Sequence, residues 1–372
     1  MNPSGPEALV PFRIPFLRLD AAGDRDDLER AVRRVMDRGW YVLGPELEAF
    51  EREFAAASGA RYAVGTGSGT DALALSLRGL GIGPGDEVIT TPLSAAYTCL
   101  AILMAGACPV FADVDPMRLT LDPGAALASV SSRTVAILVV HLYGQAADMT
   151  ALGHVARRHG LALVEDCCQA HLATANEVPV GTLGAAGAFS FYPTKNLGAL
   201  GDAGMLVTAD PDLAERVRVL RNGGQTRRWY HAVAGINSRL DEIQAAILRV
   251  RLPRLASSTA RRRSLAARYR AQLADAPLQV PVECDAGHVY HLFPVRSHRR
   301  SAMMRHLAAA GIETRIHYPV PIPRQPALSA SQPADCPVAN TVCSQVLSLP
   351  LHQGLEDEVI DEVADAVRTF AG

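Results

Sequence analysis

Val135-Ala136-Ile137-Leu138-Val139-Val140 is an uncharged run with three valines. An amphipathic stretch near Met149 to His159 comes next, and then Leu161-Ala162-Leu163-Val164-Glu165. A short, β-branched run that is apolar on both faces reads as a strand buried between two layers. The stretch after it has helical periodicity, so the unit reads strand, helix, strand. Parallel neighbours in a sheet require such a crossover.

The same alternation extends toward the N-terminus. Tyr62 to Val64 reads as a strand and Thr70 to Arg78 as a helix. Glu87 to Thr90 is a strand, Ala95 to Met104 a helix and Pro109 to Ala112 a strand. This predicts an α/β fold with a large, mostly parallel sheet covered by helices on both faces. Ligands in such sheets collect at the carboxyl ends of the strands. Gly65 to Thr70 and Asp166 to Gln169 fall at two of those ends.

Further on, Leu240 to Arg251 reads as a helix, interrupted at Pro253. A long arginine-rich helix spans about Ser257 to Ala274. Then come strand-like His291 to Val295, a helix near Ala302 to Ala310 and a last helix over Leu355 to Phe370. The expected division is a large domain over residues 1–250 and a smaller C-terminal α/β domain over 251–372. The Pro-rich stretch Pro319 to Pro326 reads as an ordered loop reaching toward a site, or as a connector.

Composition narrows the function classes. With 49% hydrophobic and 20% charged residues in 372, the chain buries a large core and is not disordered. The formal net charge of -2 and the absence of a long basic run speak against nucleic acid as a partner. Arg261-Arg262-Arg263 reads as a solvated helix face. Seven cysteines without a Cys-x-x-Cys fit small core residues of a reduced, cytoplasmic protein. Residues Met1 to Val10 lack a signal-peptide pattern. Val88 to Ala112 carries no charge, yet Pro92, Gly106 and Pro109 divide it into strand, loop, helix and strand rather than a membrane span. No metal-ligand pattern stands out.

Lys195 is the only lysine in the chain. It lies in Phe189-Ser190-Phe191-Tyr192-Pro193-Thr194-Lys195-Asn196-Leu197-Gly198. An amine can lose its proton in a low-dielectric site and attack a carbonyl, which a guanidinium cannot do. Gly65-Thr66-Gly67-Ser68-Gly69-Thr70 lies after a strand and opens a helix. Glycines, the hydroxyls of Ser68 and Thr70 and free helix N–H groups make a phosphate cradle. A capped turn is the plainer reading of the same letters. The spacing is neither that of a nucleoside-triphosphate loop nor a strong dinucleotide signal. Asp166 ends a strand, where it would pair with a cation such as a protonated pyridine nitrogen or cap the next turn of chain. Ser190 supplies a hydroxyl near the amine. Asn237-Ser238-Arg239 supplies an amide and a guanidinium, with helix capping as the alternative.

Together these parts fit pyridoxal phosphate. It needs a lysine for its aldehyde, a carboxylate for its ring nitrogen and donors for its phosphate.

These segments, with Tyr41-Val42-Leu43-Gly44-Pro45-Glu46, Val140-His141-Leu142-Tyr143-Gly144-Gln145, Gln169-Ala170-His171, Asn237-Ser238-Arg239-Leu240-Asp241-Glu242, His317-Tyr318-Pro319 and Leu347-Ser348-Leu349-Pro350-Leu351, resemble the DegT/DnrJ/EryC1/StrS sugar aminotransferases. The likeness runs from about Ile14 to Val367 and implies the fold type I aminotransferase architecture. It implies that Lys195 holds the cofactor as a Schiff base and that Asp166 meets the pyridinium nitrogen. Gln169 would lie by the ring or its phenolic oxygen. Ser68, Gly69, Thr70 and Ser190 would hold the phosphate. Asn237 would reach the phosphate in a neighbouring subunit, so a homodimer with shared active sites is implied. Arg239 would take the donor's carboxylate, and His317 and Tyr318 would approach the sugar.

The implied reaction moves an amino group from an amino acid, L-glutamate by resemblance, to a keto sugar on a nucleotide. The sugar would be a 3-keto or 4-keto deoxysugar in amino-sugar or antibiotic biosynthesis, and pyridoxamine phosphate would be the intermediate carrier. A keto-cyclitol acceptor is the alternative. Three further readings compete: removal of a sugar hydroxyl, where relatives replace the lysine with histidine; a non-catalytic regulatory member; and a nicotinamide oxidoreductase.

Two segments depart from the family pattern. Pro92-Leu93-Ser94-Ala95-Ala96-Tyr97-Thr98 is one residue short and has alanines where a ring-stacking aromatic is expected, which leaves the stacking residue open between Tyr97 and a smaller group packed there. Leu172 stands where a glycine commonly comes after the histidine.

Overall fold

The structure, a computed structural model, describes residues 12–19, 23–328 and 335–370. The expectation about Met1 to Val10 lies outside the described residues. Seven strands form the main sheet: β1 (Tyr62–Thr66), β2 (Glu87–Thr90), β3 (Cys108–Phe111), β4 (Thr134–Val140), β5 (Ala162–Asp166), β6 (Ala186–Ser190) and β7 (Gly204–Thr208). Their spatial order is β1-β7-β6-β5-β4-β2-β3. The pairs β3–β2, β2–β4, β4–β5 and β5–β6 are parallel, and β7 runs antiparallel to both its neighbours. β1 therefore points the same way as β4, β5 and β6. The residues just after these four strands emerge at one edge of the sheet.

The stretch Val88 to Ala112 resolves into strand, loop, helix Tyr97–Met104 and strand, as its prolines and glycine suggest. No helix among the described residues is long and apolar enough to cross a membrane. The sheet is packed on both faces. Ile137, Val139, Leu163 and Phe189 lie in one apolar cluster, and Ala136, Leu138, Val140 and Ala188 lie in another. That is the period-two alternation of a doubly covered sheet.

One helix start shows how distant sequence secures this scaffold. Helix Pro45–Ser58 has proline in its first turn and Gly44 as its cap residue, with no side-chain cap of its own. The fully buried carboxylate of Glu242 takes that role. It accepts the N–H groups of Gly44 (3.1 Å), Glu46 (2.9 Å) and Leu47 (2.8 Å). A carboxylate at a helix N-terminus satisfies orphan donors and meets the positive end of the dipole.

A separate apolar cluster forms from residues beyond 254 together with Ile14. Strand β8 (Phe293–Arg296) pairs antiparallel with β9 (Val346–Leu349). Helices Leu255–Gln272, Arg300–Ala309 and Asp357–Arg368 contribute Leu265, Tyr269, Met303, Ile360, Val363 and Val367 to the same cluster. Ile360, Val363, Ala364 and Val367 have the helical spacing of one buried face.

The solvated reading of Arg261-Arg262-Arg263 is incorrect. Arg262 is buried, and its Nη1 donates to the carbonyl oxygens of Tyr290, His291 and Leu351. An arginine that ties three loop carbonyls together is a packing element, and its guanidinium supplies the donors these carbonyls need. The Pro-rich stretch is ordered: Ile322 is buried, and its N–H donates to the carbonyl of Pro92 at 2.9 Å.

Candidate active site

Four strand ends deliver the site. After β1, Gly67 to Thr70 leads into helix Gly69–Gly79. Ser68 is the N-cap, and its Oγ accepts the N–H of Asp71 at 3.1 Å. The capped-turn and phosphate-cradle readings are thus compatible, because a capping serine keeps its own proton for an anion. Ser238 braces the loop. Its Oγ accepts the N–H of Gly67 at 2.9 Å and donates to Asp71 Oδ2 at 2.8 Å. Gly69 is packed so closely that a Cβ there would lie 2.7 Å from both Cys168 Sγ and Ser190 Cβ. The backbone of this loop, the end of β6 and the segment after β5 therefore converge.

Asp166 ends β5 and is 5% exposed. Its Oδ2 accepts the hydroxyl of Thr98 at 2.8 Å and its Oδ1 accepts the N–H of Cys168 at 3.1 Å. The residue before it, Glu165, is completely buried. It accepts N–H groups from Gly181, Leu183 and Gly184 and lies 3.0 Å from His141 Nε2. Because His141 Nδ1 accepts the N–H of Ala147, its Nε2 carries the proton and donates to Glu165. The His141 main-chain N–H in turn bonds the Asp166 carbonyl at 3.1 Å. His141, Glu165 and Cys167 have the proximity of a metal group. The His141 and Glu165 atoms are instead committed to these hydrogen bonds, and burial keeps the Cys167 thiol protonated by pushing it well above its ordinary value. The cluster anchors the end of β5.

After β6, a tight turn presents Lys195. Its own N–H bonds the carbonyl of Tyr192 at 2.8 Å, and Ala199 N–H bonds that of Phe191 at 2.7 Å. Asn196 fixes the far side of the turn, with Nδ2 on the Val289 carbonyl (3.2 Å) and Oδ1 3.1 Å from His291 Nδ1. Burial lowers the pKa of the Lys195 amine, with the neighbouring Cys168 and Asp166 acting in the opposite direction. His171 stands beside Phe189 and Phe191, 1% exposed. Burial and then the Lys195 charge hold it down to about 3, so it is neutral. A cavity of about 580 Å³ borders the Lys195 turn, lined also by Leu17, Arg251, Arg254 and His352.

After β4, Tyr143 joins the site to the C-terminal segment. Its main-chain N–H donates to Gln169 Oε1 at 2.8 Å and its hydroxyl donates to the carbonyl of His317. Gln169 Nε2 reaches the hydroxyl of Tyr318 at 3.0 Å. His317 Nδ1 lies 3.0 Å from Ser348 Oγ. Burial, then Arg315 and Lys195, lower His317 to about 4, and burial raises Tyr318 to about 12.

Gly69, Asp166, Gln169, Ser190, Lys195, His317 and Tyr318 thus come together. Asn237 and Arg239 lie on either side of Ser238, which bonds the loop at Gly67. Asn237 is exposed, and Arg239 Nη1 donates to Asn222 Oδ1 at 3.2 Å. Neither Asn237 nor Ser238 caps the next helix; its N-cap is Asp241. Tyr97, the proposed stacking substitute, is 64% exposed, and Thr98 makes the buried contact from that segment. Leu172 holds φ +61°, in the left-handed region that favours glycine, with its side chain packed on the core. Sequence reasoning missed Thr98, Cys168, Tyr143 and the bracing role of Ser238.

The donor set fits pyridoxal phosphate. A buried carboxylate faces a lysine whose proton is loosened by burial. The glycine cradle has no room for a side chain, and a helix N-terminus opens from it.

A model of the DegT/DnrJ/EryC1/StrS aminotransferase family matches residues 23–368. The dTDP-3-amino-3,4,6-trideoxy-alpha-D-glucose transaminase of Streptomyces venezuelae is 49% identical over 365 residues, covering 96% of each chain. The erythromycin biosynthesis sensory transduction protein EryC1 of Saccharopolyspora erythraea is 47% identical, covering 96% of this chain and all of that one. Among solved structures, S. venezuelae DesV in complex with a ketimine intermediate superposes with a TM-score of 0.93 at 49% identity, over 96% of this chain and 98% of that one. NtdA from Bacillus subtilis with bound cofactor PMP does so with a TM-score of 0.88 at 30% identity, over 96% and 86%.

Proposed function

We propose a specific activity for this chain, which belongs to the DegT/DnrJ/EryC1/StrS aminotransferase family: it moves the amino group of an amino acid to carbon 3 of a nucleotide-linked keto deoxysugar. The cofactor is pyridoxal phosphate, which supplies an aldehyde and an electron sink when bound. The observation that carries the reading is the Lys195 amine, loosened by burial, on the same sheet edge as the Asp166 carboxylate.

In this reading Lys195 holds the cofactor's aldehyde. Once freed, it takes the α-proton of the donor and returns a proton to the acceptor carbon. Arginine could do neither at neutral pH. Asp166 keeps the ring nitrogen protonated. The N–H groups at Gly69 and Thr70, with the hydroxyls of Ser68 and Ser190, would hold the phosphate, and Gln169 would lie by the ring or its phenolic oxygen. Arg239 takes the donor carboxylate, L-glutamate being the donor the resemblance implies. His317 and Tyr318 meet the sugar. Carbon 3 is favoured by the name of the S. venezuelae relative; carbon 4 and a keto-cyclitol are the alternatives.

The working unit in this proposal is a homodimer in which Asn237 serves the neighbouring site. Exposed Trp229, Tyr230 and Val233 beside that segment form an apolar surface suited to burial against a second copy. Residues 251–372 act as a smaller domain that carries His317 and Tyr318 to the large one. A cytoplasmic location agrees with seven cysteines that form no disulfide. The sensory name of the EryC1 relative suggests regulation instead, but a pure binder has no need of a deprotonatable lysine.

The test is a mass-spectrometric screen of donors against dTDP-3-keto-6-deoxyglucose, dTDP-4-keto-6-deoxyglucose and a keto-inositol. A product one amino group richer from the 3-keto sugar is expected. Turnover with only the inositol would refute the sugar assignment. Lys195→Arg should lose both turnover and the near-visible absorbance of the bound cofactor, and steady-state activity in that variant would refute the role of Lys195.

A further inference from the structure

The segment Pro92 to Thr98, where the family pattern fails, has a task of its own. Thr98 is the second residue of helix Tyr97–Met104 and is 1% exposed. Its hydroxyl donates to Asp166 Oδ2 at 2.8 Å. A carboxylate accepts and cannot donate, so the single proton of Thr98 is committed to that bond. Ser94 Oγ lies 3.3 Å from Thr98 Oγ1 and is also buried. With the Thr98 proton engaged, Ser94 must be the donor in that contact. The three groups form a directed chain, Ser94 to Thr98 to Asp166, ending on the carboxylate. The opposite oxygen, Oδ1, is fixed by the Cys168 N–H at 3.1 Å.

The loop that carries the chain is secured at its start. Thr91 Oγ1 accepts the N–H of Leu93 at 3.2 Å, and the Pro92 carbonyl accepts that of Ile322 at 2.9 Å. The turn that follows delivers the Thr98 hydroxyl to Asp166.

We propose that Ser94 and Thr98 are positioning residues that hold the Asp166 carboxylate in the orientation in which it meets the ring nitrogen of pyridoxal phosphate. The proposal rests on the cofactor reading above. The chain holds Oδ2 and the Cys168 N–H holds Oδ1 before any cofactor arrives, so Asp166 need not reorganise on binding. Removing the Thr98 hydroxyl leaves the carboxylate held at Oδ1 alone and leaves Ser94 without its acceptor.

The test uses the full chain stripped of cofactor and titrated with pyridoxal phosphate, monitored by fluorescence quenching. The pH titration of the bound chromophore's absorbance is recorded in parallel. Thr98→Val keeps the shape and removes the hydroxyl. It should bind about tenfold to a hundredfold more weakly, the range expected for a hydrogen bond to a charged group. It should also move the midpoint of the absorbance titration. Thr98→Ser restores the hydroxyl and should bind within about twofold of the parent, and Ser94→Ala should fall between them. A role in packing alone would move the melting temperature of the stripped protein and leave the titration midpoint in place. Folded Thr98→Val with the parent's affinity and spectrum overturns the proposal, as does Thr98→Ser binding as weakly as Thr98→Val. If Thr98→Val does not fold, the Ser94→Ala and Thr98→Ser pair decides by the same criteria. Failure of the parent protein itself to take up pyridoxal phosphate overturns the site reading and this inference with it.

Discussion

The side-chain amide of Gln169 bonds the hydroxyl of Tyr318 at 3.0 Å, across 149 positions of sequence. The amide's orientation is settled by its other end, because Oε1 accepts the main-chain N–H of Tyr143. Nε2 must then donate, the Tyr318 oxygen accepts, and the Tyr318 proton is left to point elsewhere. With burial holding Tyr318 up at about 12, that proton stays in place through the physiological range. Tyr318→Phe should therefore slow the sugar half-reaction about tenfold, the effect of one lost hydrogen bond, and leave the donor half-reaction within about twofold. Stopped-flow measurement of the two half-reactions separates them. Equal slowing of both would remove Tyr318 from the sugar side.

Two glycines of one loop should behave oppositely. A Cβ on Gly69 would sit 2.7 Å from Cys168 Sγ and from Ser190 Cβ, whereas one on Gly67 meets nothing nearer than Asp71 Oδ2 at 3.2 Å. Gly69→Ala should weaken binding of pyridoxal phosphate by about tenfold or more, because overpacking shifts the cradle at a cost of about 1–3 kcal/mol. Gly67→Ala should stay within about threefold, since a side-chain oxygen can give way. Equilibrium titration of both variants makes the comparison. Equal affinities would show that the convergence at Gly69 does not shape the phosphate site.

Strands β1 to β5 were legible because each is an apolar run bounded by turn residues. β6 was not, although it carries Ser190 toward Lys195. Its sequence, Ala186-Gly187-Ala188-Phe189-Ser190, is poor in β-branched residues because the sheet is tightly covered there. A Cβ on Gly187 would lie 2.3 Å from Gly181 Cα. Close packing selected small side chains and erased the usual signal. Lys195 and Asp166 were readable as chemistry, one as a singular amine and the other as a carboxylate at a strand end. Thr98 was not, because its role exists only through a contact 68 residues away. Arg262 misled because an arginine on a helix ordinarily faces water, while this one serves three carbonyls in the interior.

Glu242 is expected to be among the most sensitive positions for stability. Glu242→Ala strands three N–H groups at the buried start of helix Pro45–Ser58. A loss of about 3 kcal/mol is expected, from unsatisfied donors and the cavity together. Urea denaturation with an unchanged slope would measure it. A loss under about 1 kcal/mol would mean that solvent or Glu46 replaces the cap.

Acid should unfold this protein early. His171 and His288 are held down to about 3 and His291 well below its usual 6.5, each chiefly by burial. The unfolded chain binds protons at these positions near pH 6.5 and the folded chain does not. Their contribution to stability is thus fully present above about pH 6.5 and declines as pH falls toward 3. Three such groups give a slope approaching about 4 kcal/mol per pH unit below pH 6. Denaturation series at pH 7, 6 and 5 would read it, and a slope under about one proton would indicate that the histidines charge inside the fold.

The shared-site proposal makes a prediction that no single-subunit arrangement can meet. Lys195 and Asn237 would serve one site from two different subunits. A Lys195→Ala homodimer then lacks the amine in both sites, and an Asn237→Asp homodimer places a repelling charge by the phosphate in both. In a mixed dimer one site combines both defects and the other has neither. Refolding the two inactive variants together should restore about a quarter of the parent's activity: half the dimers are hybrids at random pairing, each with one intact site. If Asn237 served its own subunit's phosphate, which its neighbour Ser238 already braces through Gly67, every site in the hybrid would carry one defect. The mixture would then stay as inactive as its parents. Sedimentation of the mixture as a dimer, with activity that rises on mixing and peaks at equal amounts, is the expected outcome.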